Sequence, residues 1–527
     1  MDEYCWEIYL EGIPYCMKAD SVFELPPEVQ FSLIKGGEFL SIAVAAMLEL
    51  KVTHLGNDPY PWTDFDSIYN EICRHKTDVT DYVYKNWRED DFFGYQFLNG
   101  LNPNMIQRCS SLPVNFPVTD DTVSLEGGAK LTDEMKKGNI FLCDYKLLDG
   151  VKTNTINGEK QYLMAPLVLL HKTFDGALKP VAIQLKQTPS EDNPIFLPAD
   201  SEYDWLLAKT FVRSAEFNYH EINVHLLRTH LLAEVFTVAL KRNLPRVHPL
   251  YKLLIPHTRY TLQMNVLARQ RLISEDGALS LNSAPGKEGL VTILQKGLSS
   301  LTYSSLCIPD DITERGVESV PNYYYRDDGL RVWDIIHRFV KGVINHYYKN
   351  DKEVQDDSEL QAYIMDIFEH GFLSKTETGI PQSFKTVNEV VKFVTMVIFT
   401  SSAQHSAVNT GQLDIGGWMP NFPSSLQQPP PVIKGRANEL TLLQTLPDVN
   451  TTVNTLAVLW LLSTQSTDFV PLGQCYQYFT EDVCCKMIQD FQKELKDLDE
   501  AIDDRNKNLE LAYTYLMPKN MENSVAL

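Results

Sequence analysis

Three histidines spaced five apart carry the first chemical signal in this chain. His220, His225 and His230 fall in YHEINVHLLRTHLLAEV, residues 219–235. The stretch nearly matches H-E-x-x-H, the zinc-protease pattern that sets two histidines at i, i+4 on one helical face. It fails at residue 224, which is Val, so the next imidazole comes one place late. On a regular α-helix five residues turn through about 500°, which leaves the two imidazoles about 140° apart, too far round to grip one ion. A π-turn, at about 4.4 residues per turn, brings i and i+5 back onto nearly one face, and such bulges often sit at functional sites. The spacing is therefore either an outcome of core packing or a metal site on a π-bulge.

A second stretch adds ligands of the same kind. FTSSAQHSAVNTGQ (399–412) places His405 and Asn409 at i, i+4, on one face of an ordinary helix. Imidazole and amide oxygen at that spacing suit a borderline metal. The chain then ends in MENSVAL, an apolar tail that, if buried, brings its own carboxylate inward at Leu527. Three imidazoles, an amide oxygen and a carboxylate leave one octahedral position open. Nitrogen and oxygen ligands without a thiolate suit redox-active non-haem iron better than structural zinc.

Helices must position these residues. Helical periodicity runs over 203–241, 259–274, 329–349, 357–370, 385–413 and 485–513. Three strand-like runs, NIFLCDYKLL, QYLMAPLVLLHK and PVAIQLKQ, lie within about 139–186 and predict a small antiparallel sheet. Residues 1–30, rich in proline and aromatics, read as a lead-in strap. No later boundary looks like a linker, so 31–527 reads as one large domain, mainly α with a small antiparallel β-sheet subregion. Composition excludes several classes. The net charge of −22 argues against a nucleic-acid partner and gives no pull toward anionic lipid. The apolar runs at 390–399 and 455–462 fall short of the roughly 20 residues of a membrane span. No signal peptide opens the sequence, and the nine cysteines show no metal spacing, which predicts reduced thiols and a cytoplasmic protein.

From about residue 4 to the C-terminus the chain resembles the animal lipoxygenases. WLLAKTFVRSAEFNYHE, HLLRTHLLAEVF, LPRVHPLYKLLIPHTRYT, FTSSAQHSAVNTGQ, PPPVIKG and the terminal ENSVAL stand in the family's order; NYYYRDDGL and NFPSS look closest to its epidermal subgroup. The resemblance implies a helical catalytic domain with His225, His230, His405, Asn409 and the Leu527 carboxylate as ligands of one non-haem iron. Most relatives end in Ile, so Leu527 keeps the carboxylate but packs differently. It also implies that His220, Glu221 and Gln412 form a hydrogen-bonded layer behind the ligands. Nothing in the sequence reads as the N-terminal PLAT β-sandwich of the family, so the expectation is the catalytic domain alone.

The implied reaction is dioxygenation of a polyunsaturated fatty acyl chain, with molecular oxygen as co-substrate. Iron takes a hydrogen from a bis-allylic carbon and oxygen adds to the pentadienyl radical, which demands a dry channel and a controlled oxygen path. By resemblance Leu226, Leu231 and Leu272 wall that channel, Phe217 floors it, and Asn282 and Ser283 stand where relatives carry bulky residues. Ala268 occupies the family's small-residue switch and implies S hydroperoxides. Leu267 stands where several relatives hold a base for the substrate carboxylate, and Arg269 sits about 200° round the helix from it. Esterified substrates, or chains entering methyl-end first, are therefore expected, with peripheral membrane contact. The alternatives are a hydroperoxide isomerase on the same iron site and an inactive lipid-binding scaffold. Leu226, where the epidermal isomerase has Phe, favours oxygen access.

Overall fold

The long helices start where the sequence supplies caps. In this computed structural model, which describes residues 3–53, 60–72 and 76–527 (the backbone alone for 47–53 and 71–72), Ser201 accepts from the Asp204 amide at the head of one helix. Thr386 and Glu389 form a capping box at the head of another. The elements that frame the candidate site are α1 (Leu33–Thr53), α2 (Glu202–Tyr219), α3 (Leu232–Asn243), α4 (Thr261–Arg271) and α5 (Gly286–Ser300). They continue with α6 (Tyr324–Tyr347), α7 (Val387–Phe399), α8 (His405–Asn409), α9 (Val449–Ser463) and α10 (Asp482–Asn506).

Two rods cross at the centre. The first is α2, a π-helix over His220–Leu231, and α3, running without a break. The second is α7, a π-helix over Thr400–Gln404, and α8. Nearly every residue of the first rod is buried, polar ones included. A helix apolar or paired on all sides belongs inside a large core, not on its surface. Around the rods, α6 packs on α7 and α10, α5 on the first π-helix, α4 on α3, and α1 on α9.

The sheet has five antiparallel strands in the order β1 (Gln107–Arg108), β2 (Ile140–Asp144), β3 (Leu167–Lys172), β4 (Leu178–Gln184) and β5 (Ile195–Phe196). Its side chains alternate between two cores. Phe141, Cys143, Val168 and Leu170 enter the main one, while Ile140, Leu142, Leu167 and Leu169 enter a smaller one behind. Burial on both faces explains why these strands read as unbroken apolar runs. The helix Asp90–Asn99 crosses so close that a Cβ on Gly94 would sit 1.7 Å from the Leu178 carbonyl, which requires glycine there.

Several boundaries differ from the sequence reading. The sheet reaches beyond 139–186 through two-residue edge strands too short to show periodicity. QYLMAPLVLLHK is strand only from Leu167, because Pro166 has no amide for the ladder. The expected helix 385–413 changes to π winding at Thr400 and ends at Asn409; a new helix starts at Gln412, since Gly411 lies against the Tyr515 ring. The expected helix 329–349 starts earlier, at Tyr324, where Asn99 Oδ1 accepts from the Tyr324 amide at 2.8 Å. Helix 485–513 ends at Asn506. The helices α1, α5 and α9 were not among the segments named from periodicity.

Along the strap, Trp6–Glu7 pairs with Cys16–Met17, and the Trp6 ring stacks on His370 at 4.8 Å. Among the described residues no helix is long and apolar enough to cross a membrane, and none of the eight described cysteines lies in a disulfide.

Candidate metal centre

The π winding brings the five-spaced histidines onto one face. The rings of His220 and His225 stack at 5.8 Å, and the Nε2 atoms of His225 and His230 lie 3.1 Å apart. From the second rod His405 presents its Nε2 3.2 Å from that of His230. A C-terminal oxygen of Leu527 lies 3.1 Å from His405 Nε2. Ligands at cis positions around an ion with bonds of about 2.1 Å stand about 3.0 Å apart, so these four atoms are spaced as one ion requires. Among the described residues these three histidines form a fully buried group that could hold a metal ion.

Electrostatics keep the nitrogens free. Burial pushes His225 and His405 below the usual histidine range and takes His230 down to about 3. The imidazoles are therefore neutral near pH 7, each with a lone pair to give. The donor set of imidazoles plus a terminal oxygen, without sulfur, fits the expected iron.

The tail is seated by four contacts. The Asn523 amide donates to Val470 O at 3.0 Å, and the Leu472 amide to Met521 O at 2.9 Å. His257 Nδ1 donates to Asn523 O at 2.7 Å, and Ser524 Oγ to Arg259 O at 2.8 Å. Val525 and Ala526 are fully buried, which directs the last carboxyl inward.

Asn409 stands one turn beyond His405, at the edge of the cluster. Its carboxamide lies against His225, its Oδ1 accepts from Gln412 Nε2 at 2.7 Å, and its Nδ2 donates to Leu462 O at 3.0 Å. Glu221 lies 3.4 Å from His225 Nδ1 and 3.5 Å from His220 Nδ1. Burial would raise its carboxyl, but the charge and hydrogen bonds of the two imidazoles outweigh that and hold it near 2. Glu221, His225, Asn409 and Gln412 thus form one chain of contacts. His220 stacks on His225 but points its Nε2 elsewhere, donating to Val408 O at 2.7 Å and tying the two rods together.

The residues expected along a channel divide by burial. Phe217, Leu226, Leu231 and Ala268 are buried, and Leu267 and Leu272 half-buried. Phe217 packs on Phe422 at 4.9 Å. Asn282 and Ser283 donate to carbonyls of their own helix, at 2.9 and 2.5 Å, and Asn282 Oδ1 accepts from Asn454 Nδ2 at 3.4 Å. A separate cavity of about 220 Å³ reaches the other edge of the cluster, lined by His405, Asn409, Thr410, Gln465, Glu522 and Leu527. It shares no lining residue with the apolar set.

Three residues of the site carried no assignment from sequence. Asn265 accepts from His230 Nδ1 at 3.0 Å, and Glu234 holds Arg269 through two bonds of 2.7 and 3.0 Å. Each is more than 30 residues from its partner and has no spacing signal. His257 stands inside the quoted LPRVHPLYKLLIPHTRYT motif, which was its only signal.

Comparison with known proteins agrees with this geometry. The lipoxygenase family model matches residues 69–515. The rat polyunsaturated fatty acid lipoxygenase ALOX15B is 46% identical over all of this chain and 78% of its own length. The human hydroperoxide isomerase ALOXE3 is 47% identical over 99% of this chain and 80% of its own. A lipoxygenase crystal structure in complex with arachidonate superposes with a TM-score of 0.95 at 35% identity, over the whole chain and 80% of that protein.

Proposed function

The chain belongs to the lipoxygenase family, a dioxygenase class of oxidoreductase built on non-haem iron, and on that premise we propose that it converts polyunsaturated fatty acyl chains to hydroperoxides. One observation carries the reading. Three neutral, buried imidazole nitrogens and a terminal oxygen cluster with successive neighbours 3.1–3.2 Å apart, with no thiolate among them. His225, His230, His405 and the Leu527 carboxylate would hold the iron, with Asn409 beside them. When bound, the iron supplies the one-electron chemistry that takes hydrogen from a bis-allylic carbon.

The chain's own residues do the rest. Leu226 and Leu231 lie beside the ligands that precede them and would keep the reacting carbons dry. Glu221 and Asn265 take the Nδ1 hydrogens of His225 and His230, which leaves Nε2 to the metal. Ala268 at the switch position favours S hydroperoxides, and Ala268→Gly should shift product toward R. The substrate head group meets no ready cation at Leu267, since Arg269 is fully engaged by Glu234. Esters should therefore serve as substrates. Phe23 on the strap and Leu33, Ile34 and Leu40 on α1 are exposed apolar side chains suited to peripheral contact with a lipid surface. Free cysteines fit a cytoplasmic setting.

The isomerase relative at 47% identity favours a second reading, rearrangement of a preformed hydroperoxide on the same site. Chiral product analysis after incubation with arachidonate and linoleate, free and esterified, decides. S hydroperoxides from fresh acyl chains support dioxygenation. Epoxyalcohols formed only from added hydroperoxide overturn it.

A further inference from the structure

Behind His230 a buried polar relay reaches from the cluster to the strap. Asn265, on α4, accepts at Oδ1 from His230 Nδ1 at 3.0 Å. Its Nδ2 donates to the His230 carbonyl at 2.7 Å and to Glu234 Oε2 at 2.8 Å. Glu234 also receives both Arg269 bonds, and the Met17 amide of the strap donates to its Oε1 at 2.9 Å. Asn265 and Glu234 are 1% exposed or less, so water does not replace these partners.

We propose that Asn265 is the positioning residue of His230, and that the Glu234–Arg269 pair sets the way Asn265 faces. The inference rests on the reading that His230 holds the metal. An imidazole ring turns about its own bond and offers either nitrogen. A partner at Nδ1 removes both freedoms, fixing the tautomer and the plane so that the Nε2 lone pair faces His225 and His405. A side-chain amide has two ends that can exchange places. Here the exchange is blocked, because the NH₂ end must face the Glu234 carboxylate and the His230 carbonyl. The oxygen end is thereby left for the imidazole. Glu234 selects the amide's orientation, and the amide selects the ring's tautomer.

Residue chemistry at 265 is correspondingly narrow. The side chain must accept on one side and donate twice on the other. Aspartate has no donor and would set a second carboxylate against Glu234 Oε2. Leucine has the shape of asparagine with neither function. The two ligands on the same π-helix are also backed differently. His225 has the Glu221 carboxylate, whereas His230 has a neutral amide whose carboxylate neighbour is balanced by Arg269.

Asn265→Leu and Asn265→Asp test this, since both keep the side chain's size. Iron content after dialysis against a chelator, and the line shape of the ferric electron paramagnetic resonance signal, are read in the cold on protein shown folded by circular dichroism. Both variants should hold iron about 10–100-fold more weakly than the unmodified protein, with an altered line shape in what remains. Iron held with unmodified affinity and an unchanged line shape overturns the proposal. If one variant does not fold, the other decides by the same reading. The unmodified protein gives an independent answer. With a closed-shell metal bound, NMR of isotope-labelled histidine should show His230 protonated at Nδ1, and a bare Nδ1 overturns the assignment whatever the variants do. Should the unmodified protein bind no iron, the reading of the site fails instead, and the two failures are distinct.

Discussion

His225 and His230 hold their Nε2 atoms 3.1 Å apart because the helix between them is wound as a π-helix, over 12 residues and not a single turn. Long π runs are rare, and tertiary packing must maintain this one. α5 presses on it from one side, and at the point of closest approach stands Gly297.

Gly297→Ala should therefore disturb the metal centre from a distance. The added Cβ would sit 2.3 Å from Asn223 Oδ1 and 2.9 Å from Leu227 Cδ2, both buried side chains flanking His225. A destabilisation of about 1–3 kcal/mol is expected, as for overpacking elsewhere. Thermal melting and metal analysis measure it. Unchanged melting with full iron would show that the π segment yields freely.

Extending the chain past Leu527 should strip iron while leaving the fold. The tail is seated by His257, Ser524 and the Asn523 amide, so an added residue leaves those contacts and displaces only the terminal carboxylate. Iron retention should fall about tenfold or more. Metal analysis of protein with and without a C-terminal extension checks this, and full iron in the extended form contradicts it.

His257 makes the seating of the tail acid-sensitive. In the unfolded chain its imidazole titrates near 6.5. In the fold burial carries it down to about 4, the Asn523 carbonyl opposing only in part. The folded state thus binds fewer protons between these values. The contribution is complete above about pH 6.5 and is lost as pH falls toward 4, about 2 kcal/mol of it by about pH 5. Urea unfolding at about pH 7.5 and about pH 5 should show His257→Gln losing about 2 kcal/mol less than the unmodified protein. Parallel pH dependences would refute the assignment.

Head-group recognition makes a kinetic prediction. With Arg269 held by Glu234, methyl linoleate should be turned over at least as well as free linoleate. Steady-state comparison of the two gives the answer. A strong preference for the free acid, abolished by neutralising one arginine, would reveal a carboxylate anchor.

The residues of the cluster were legible in the sequence because chemistry and spacing coincide in them. His225 and His230 announced a π-turn by a spacing that an α-helix cannot use, and His405 with Asn409 announced an ordinary one. Leu527 was legible as an apolar tail with a carboxylate. The second π segment was not, since Thr400–Gln404 carries no histidine pair to betray its winding. Asn265 and Glu234 were invisible for a different reason: their roles exist only once α4 packs against α3, and an asparagine or glutamate on a helix ordinarily faces water. The sheet's core was found, but its edge strands are too short to carry a period.

Oxygen uptake per iron tests the account most directly. Protein carrying about one iron per chain, given a fatty acyl chain with a cis,cis-1,4-pentadiene, should consume one molecule of oxygen for each hydroperoxide formed, and His405→Ala, which loses one imidazole of the cluster, should do neither. Iron-loaded protein that takes up no oxygen from such a chain, or a His405→Ala variant that retains both iron and oxygen uptake, would contradict it.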